Sequence, residues 1–168
     1  MAKIATSLVL AVALIATAGC TKKRIADVPP GPGTDMGTLD NGSGEEASSV
    51  LNEQFKREVS SNTVHFSFDQ YDIDPEARSI LDSQARWLAA HPGVRITIEG
   101  HCDERGTREY NLALGDRRAN AAKNYLAARG ISPSQINTIS YGKERPVALG
   151  SDDSSWAQNR RAVTIVIN

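Results

Sequence analysis

The chain has 168 residues, 40% of them hydrophobic and 23% charged, with a formal net charge of −1. That length suits one modest globular domain with chain to spare. The near-neutral balance leaves no basic footprint of the kind nucleic acid requires, so no nucleic-acid partner is expected.

In chain order, Met1-Ala2-Lys3 precedes an almost wholly apolar run from Ile4 to Ala16, and small residues then lead to Cys20. A cation, an apolar segment too short to span a bilayer comfortably, and small residues make 1–19 a secretory signal rather than a core helix. The small residues ahead of Cys20 resemble a bacterial lipobox, which makes Cys20 the expected lipidated N-terminus. Ala16-Thr17-Ala18 also fits ordinary A-x-A cleavage. Thr21, in place of aspartate, resembles the sorting choice for the outer membrane, with the folded domain in the periplasm. Three acyl chains, at about 0.8 kcal/mol per buried CH2, would make that anchor essentially permanent. Residues 20–49 hold too few bulky apolar residues to offset the entropy of ordering them. They are expected to form a disordered tether with a reach on the order of 30 Å.

The globular part, 50–168, is periodic. Val50 to Val59 is amphipathic and predicts a short helix. Val64, Phe66 and Phe68 alternate with His65 and Ser67, which predicts a strand. Asp74-Pro75 supplies an N-cap and first-turn proline for a helix that ends at His91-Pro92-Gly93. Val94, Ile96 and Ile98 alternate with Arg95, Thr97 and Glu99 in a second strand. A helix from Thr107 to Arg129 stops at Gly130, and Ile136–Tyr141 and Ala162–Ile167 are the last strands. The order βαβαββ predicts an α+β two-layer sandwich, a mixed four-stranded sheet with helices on one face. Gly150 to Asn159, with Trp156, reads as a long connection before the last strand, in which the indole either packs, the favoured reading, or contributes to a binding contact.

The stretch GHCDERGTREYN, Gly100 to Asn111, concentrates the chemistry. Continued alternation puts Gly100 and Cys102 with Val94, Ile96 and Ile98, and puts His101 and Asp103 with Arg95 and Glu99. His101 and Cys102 then point apart and cannot share a zinc ion, and no other spacing closes a metal site. Cys102 reads as a small buried hydrophobe and a reduced thiol. In the following helix Tyr110, Leu114, Ala121, Ala122, Tyr125 and Leu126 form one stripe at 100° per residue. Asn111 and Arg118 fall in its middle and Arg117 at its edge. A buried arginine needs an anionic partner, and Asp103 is the nearest in sequence. Two arrangements answer this: a structural Arg118–Asp103 ion pair with Asn111 as a core amide, or a cleft that keeps the two charges apart for a ligand bearing both.

Phe66-Ser67-Phe68-Asp69-Gln70-Tyr71-Asp72-Ile73, Gly100-His101-Cys102-Asp103-Glu104-Arg105-Gly106-Thr107, Tyr110-Asn111, Arg117-Arg118-Ala119 and Ser140-Tyr141-Gly142-Lys143-Glu144-Arg145-Pro146 together resemble the OmpA-like peptidoglycan-binding domain family. The resemblance runs from Val64 to the C-terminus. It implies that Asp103 and Arg118 hold the diaminopimelate of a peptidoglycan stem peptide, that Asn111 makes a further contact, and that Phe68, Asp69 and Tyr71 form the loop beside it. Cys102 departs from the alanine or threonine usual in that family. The resemblance also implies recognition without catalysis, no cofactor, and a place in the Tol-Pal envelope system with the periplasmic protein TolB as a partner. From the residues themselves, an enzyme acting through His101 or Cys102 lacks an assembled nucleophile, base and orienter. A module that binds only proteins stays open.

Overall fold

The computed structural model describes residues 42–167. The expected signal, the lipidated Cys20 and the tether up to residue 41 lie outside them.

The first helix, α1 (Gly42–Glu58), begins inside the segment expected to be tether, so residues 42–49 are helical. Their sequence, GSGEEASS, carries no bulky apolar residue and hence no period to read. The helix extends backward from a docked end: Phe55 is fully buried and edge-on to Trp87 at 5.0 Å, and the Trp87 indole N–H donates to Glu58 Oε2 at 2.8 Å. Strand β1 is short (Thr63–His65). Beyond it Phe66 N still donates to Arg160 O at 2.9 Å, but the chain then turns, with Gln70 N bonded to Ser67 O and Asp69 at φ 58°. Phe68, expected on the inward side of that strand, is therefore 59% exposed.

Helix α2 (Pro75–Ala90) starts as its sequence requires, with Asp74 Oδ1 accepting from Ala77 N at 2.8 Å and Pro75 in the first turn. Strand β2 (Ile96–His101) leads to α3 (Arg108–Ala128), capped by the Thr107 hydroxyl and closed by Gly130 at φ 92°. Strand β3 (Ile136–Gly142) follows a 3-10 turn at Pro133–Gln135. The expected connection 150–159 contains a fourth helix, α4 (Asp153–Asn159), before β4 (Arg161–Val166).

The sheet order is β1-β4-β2-β3, with β4 antiparallel to both neighbours and β2 parallel to β3. The mixed four-stranded sheet expected from the βαβαββ order is present, with β4 inserted between the two strands that α2 connects. Register puts Val64, Ile96, Ile98, Ile136, Ala162 and Val166 on one face, where they share a core with Phe55, Leu81, Leu88, Ala119, Ala122 and Leu126 of the helices. Burying those apolar side chains is the main favourable term in the fold. The closest helix-sheet approach falls at Gly100 and Gly115, where a β-carbon on Gly100 would lie 1.9 Å from Gly115 O. Glycine at that crossing lets the first half of α3 lie against the end of β2.

Candidate functional site

Where β2 ends and α3 begins, a cavity of about 200 Å³ opens. Its walls come from the turn after β1 (Phe68, Asp69), the loop after β2 (Cys102, Asp103, Arg105) and the inner face of α3 (Asn111, Arg118). The helix stripe accounts for the last two. Asn111, Leu114, Gly115, Arg118, Ala119, Ala122 and Leu126 are the buried residues of α3, so Asn111 and Arg118 do lie in its centre. Tyr110, expected within the stripe, is 46% exposed and bonds Asp69 Oδ1 through its hydroxyl across the mouth of the cavity.

Arg118 has no exposed surface. Its Nε donates to Gln70 O at 2.9 Å, Nη1 to His101 O at 2.8 Å and Nη2 to Ser67 O at 3.2 Å. Three of the five N–H groups of the guanidinium are thus held by neutral carbonyls, and the group also meets the Cys102 thiol and lies 5.2 Å from the centre of the Phe66 ring. Burial pulls its pKa below the ordinary arginine value, yet the side chain stays a cation at any working pH.

Asp103 is 5% exposed and does not pair with Arg118. Arg105 grips it through Nε to Oδ1 at 3.1 Å, Nη2 to Oδ2 at 2.7 Å and its own backbone N to Oδ1 at 3.1 Å. Arg160 Nη1 adds a contact to Oδ2 at 3.4 Å. Burial alone would raise the Asp103 carboxyl, but the hydrogen bonds from Arg105, with Arg160, outweigh it and hold the group below its ordinary value. The direct Arg118–Asp103 ion pair, one of the two arrangements open from sequence, is not formed. The two opposite charges stand on the walls of one cavity instead.

Alternation along β2 locates His101 and Cys102 but fails one residue later. The His101 ring lies on the face away from the helices, 5.6 Å from Tyr141, and Cys102 lines the cavity with its Sγ donating to Asn111 O at 3.3 Å. Asp103 was expected on the His101 side. The strand stops at His101, so the period of two no longer applies and Asp103 turns into the cavity beside Cys102. Burial pushes the Cys102 thiol above its ordinary pKa, which suits an inert side chain. Asn111 Nδ2 donates to Arg105 O at 2.8 Å and Thr107 O at 3.0 Å, so both its N–H groups serve the loop and only its carbonyl oxygen is left for a ligand. Tyr71 stands apart from the lining, 43% exposed, with the Arg117 guanidinium 6.0 Å from its ring. Among the described residues no three His, Cys, Asp or Glu side chains gather as a metal site.

Sequence periodicity gives no role in the site to Arg105 or Arg160, and for Trp156 packing is the favoured of two readings. Arg105 stacks between Phe68, at 4.2 Å, and Trp156, at 4.1 Å, and the indole N–H of Trp156 donates to Glu104 Oε1 at 3.0 Å. Trp156 thus supports the site from α4 rather than filling the core. The one available signal was Asp152-Asp153-Ser154-Ser155: the Asp152 carboxylate accepts from Ser154 N and Ser155 N at 2.9 and 3.0 Å, a helix start with no apolar repeat behind it.

Residues 65–160 match the model of the OmpA family. The chain is 46% identical over 153 residues to the peptidoglycan-associated lipoprotein of Rhizobium meliloti strain 1021, covering 90% of this chain and 82% of that protein. It is 45% identical over 157 residues to the protein of the same name from Pseudomonas aeruginosa PAO1, covering 90% of each. Among solved structures, the peptidoglycan-associated lipoprotein from Burkholderia pseudomallei is similar at a TM-score of 0.62 and 46% identity, over 63% of this chain and 90% of that one. The cell wall anchor of the T6SS from Pseudomonas aeruginosa shares the fold at a TM-score of 0.53 and 23% identity, over 61% and 78%.

Proposed function

The chain belongs to the OmpA family, among its peptidoglycan-associated lipoproteins, and on that premise we propose that its cavity binds the diaminopimelate of a peptidoglycan stem peptide without chemistry. The free end of diaminopimelate carries an ammonium and a carboxylate on one carbon. Arg118 takes the carboxylate through the N–H groups that no carbonyl holds, and Asp103 takes the ammonium. The Asn111 carbonyl accepts from a peptide N–H, and Phe68 and Asp69 form the near wall. Tyr71 lies further out, within reach of a longer stretch of the polymer.

One observation carries this reading: a buried cation on the wall of an open cavity, with three hydrogen bonds to neutral carbonyls and no carboxylate paired to it directly. A buried charge without a counter-charge is expensive, and a ligand carboxylate supplies what the fold does not. The lipobox-like Cys20 and the names of the relatives support an outer-membrane anchor with the domain in the periplasm. On the same basis the protein works in the Tol-Pal system and meets TolB. It links membrane to wall rather than cutting either.

The experiment is co-sedimentation with purified diaminopimelate-type sacculi. The protein should pellet with them, free meso-diaminopimelate should release it, and no soluble fragments should appear on prolonged incubation. A protein that stays in the supernatant would leave the protein-only module as the better reading.

A further inference from the structure

The chain itself engages every acceptor position of Asp103. An ionised carboxylate offers about four such positions. Arg105 fills three of them, through its backbone N, Nε and Nη2, and Arg160 Nη1 fills the fourth. An incoming ammonium therefore finds no free lone pair on Asp103, and one of the two arginines must yield. Arg160 is the fixed one: its side chain is 15% exposed, and its Nε also holds Phe66 O at 2.9 Å. Arg105 is 34% exposed, lines the cavity, and has no other hydrogen-bond acceptor for its side chain. What retains it otherwise is the slot between Phe68 and Trp156, a contact with ring faces that tolerates sliding better than a bidentate pair does.

We propose that Arg105 is a displaceable stand-in for the ligand's ammonium, so that this pocket, read as a diaminopimelate site, fills by exchange of one cation for another on Asp103. The exchange makes Arg105 a determinant of specificity. A simple anion reaches Arg118 and leaves Arg105 in place. A simple cation, such as a lysine side chain, meets a better-placed bidentate competitor on Asp103. Only a ligand with both charges on one carbon takes Asp103 and Arg118 together. Until such a ligand arrives, Arg105 gives the buried carboxylate its bidentate partner, beside the single longer contact from Arg160.

The test uses the full chain in detergent and two synthetic peptides, L-Ala-γ-D-Glu-meso-diaminopimelate and the same peptide ending in 2-aminopimelate, which keeps the carboxylate but lacks the ammonium. Titration calorimetry should show Arg105→Ala binding the first peptide about tenfold more tightly than the unaltered protein does, and the second no more tightly. Arg105→Lys, which keeps the charge but loses the fork, should fall between. The Arg105 Nε–H resonance of the unaltered protein should move on saturation with the first peptide and stay put with the second. If Arg105→Ala leaves the ratio of the two affinities unchanged, or weakens both equally, Arg105 is a fixed wall and the exchange is wrong. If neither peptide binds the unaltered protein, the diaminopimelate reading itself fails and takes the exchange with it.

Discussion

Arg118 and Asp103 show how far a single residue can be read from sequence. The 100° helical period alone places Arg118 in a buried stripe, and an arginine there calls for a partner. The partner of Asp103 is a different matter. Arg105, two residues away, reaches back to it only because the loop after β2 turns as soon as the strand ends, and no periodicity describes a turn. The roles predict a selectivity: lysine-type walls share the ammonium but offer Arg118 no side-chain carboxylate. Arg118→Ala should weaken binding to diaminopimelate sacculi by about 10- to 100-fold, the worth of a charge-assisted bond of about 1.5–3 kcal/mol, and leave binding to lysine-type sacculi almost unchanged. The variant also removes three hydrogen bonds to carbonyls, so its thermal transition must first show a folded protein. A folded Arg118→Ala that sediments like the parent would place the ligand elsewhere. His101 makes a prediction of another kind. Both of its ring nitrogens lack hydrogen-bond partners and Glu99 Oε2 is 3.5 Å away, while burial, Arg161 and Arg145 lower its pKa to about 4. The unfolded chain, with imidazole near 6.5, binds the proton more tightly. The stabilising effect is therefore complete above pH 6.5 and is lost as pH falls toward 4. Between pH 6.5 and 5 the protein should lose about 1.5–2 kcal/mol, lowering its melting temperature by several degrees. His101→Phe should flatten that slope, and an equally steep variant would assign the loss to other groups.

Elements were legible where burial imposes a period and where a cap has its own chemistry. Helices α2 and α3 start at Asp74-Pro75 and Thr107 as their sequences require, and β2 to β4 follow from alternation. The misses share a cause. The early turns of α1 and the whole of α4 are held by docking and by polar caps, so they carry no apolar repeat, and the alternation that continues past β1 to Phe68 runs into a turn with Asp69 in a left-handed conformation. The crossing of α3 over β2 is the element-scale feature that sets the pocket. Gly100 and Gly115 permit it, and Ser140 Oγ fastens it by donating to Leu112 O at 2.7 Å. Gly100→Ala should therefore push α3 outward. Overpacking of this kind costs about 1–3 kcal/mol or more. Because Arg118 and Asn111 ride on the displaced helix, affinity for the stem peptide should fall alongside the denaturation midpoint. A variant that loses stability and keeps full affinity would show that the pocket is set by the loops alone.

At the scale of the whole molecule two functions are assigned to two ends of one chain. The lining of the proposed wall-binding pocket lies between Phe68 and Arg118, and the proposed membrane attachment rests on Cys20, well before the described residues begin. Fully extended, the 21 residues from Thr21 to Asn41 span about 70 Å, so covalent geometry alone lets the domain work well away from the bilayer. If each proposed task rests on its own end, their effects should separate. Cys20→Ser should abolish acylation, read as the loss of fatty-acyl mass on the mature N-terminus, and release the protein from isolated membranes. The same variant should sediment with sacculi with unchanged affinity, because Asp103, Arg105 and Arg118 are untouched. Arg118→Ala should do the reverse, staying with membranes and losing the wall. The double variant should do neither, with the two losses adding independently, the outcome for sites that act separately. Membrane binding by Cys20→Ser at the parent's level would overturn the anchor, and loss of sacculus binding by the same variant would show that the pocket depends on the lipidated end.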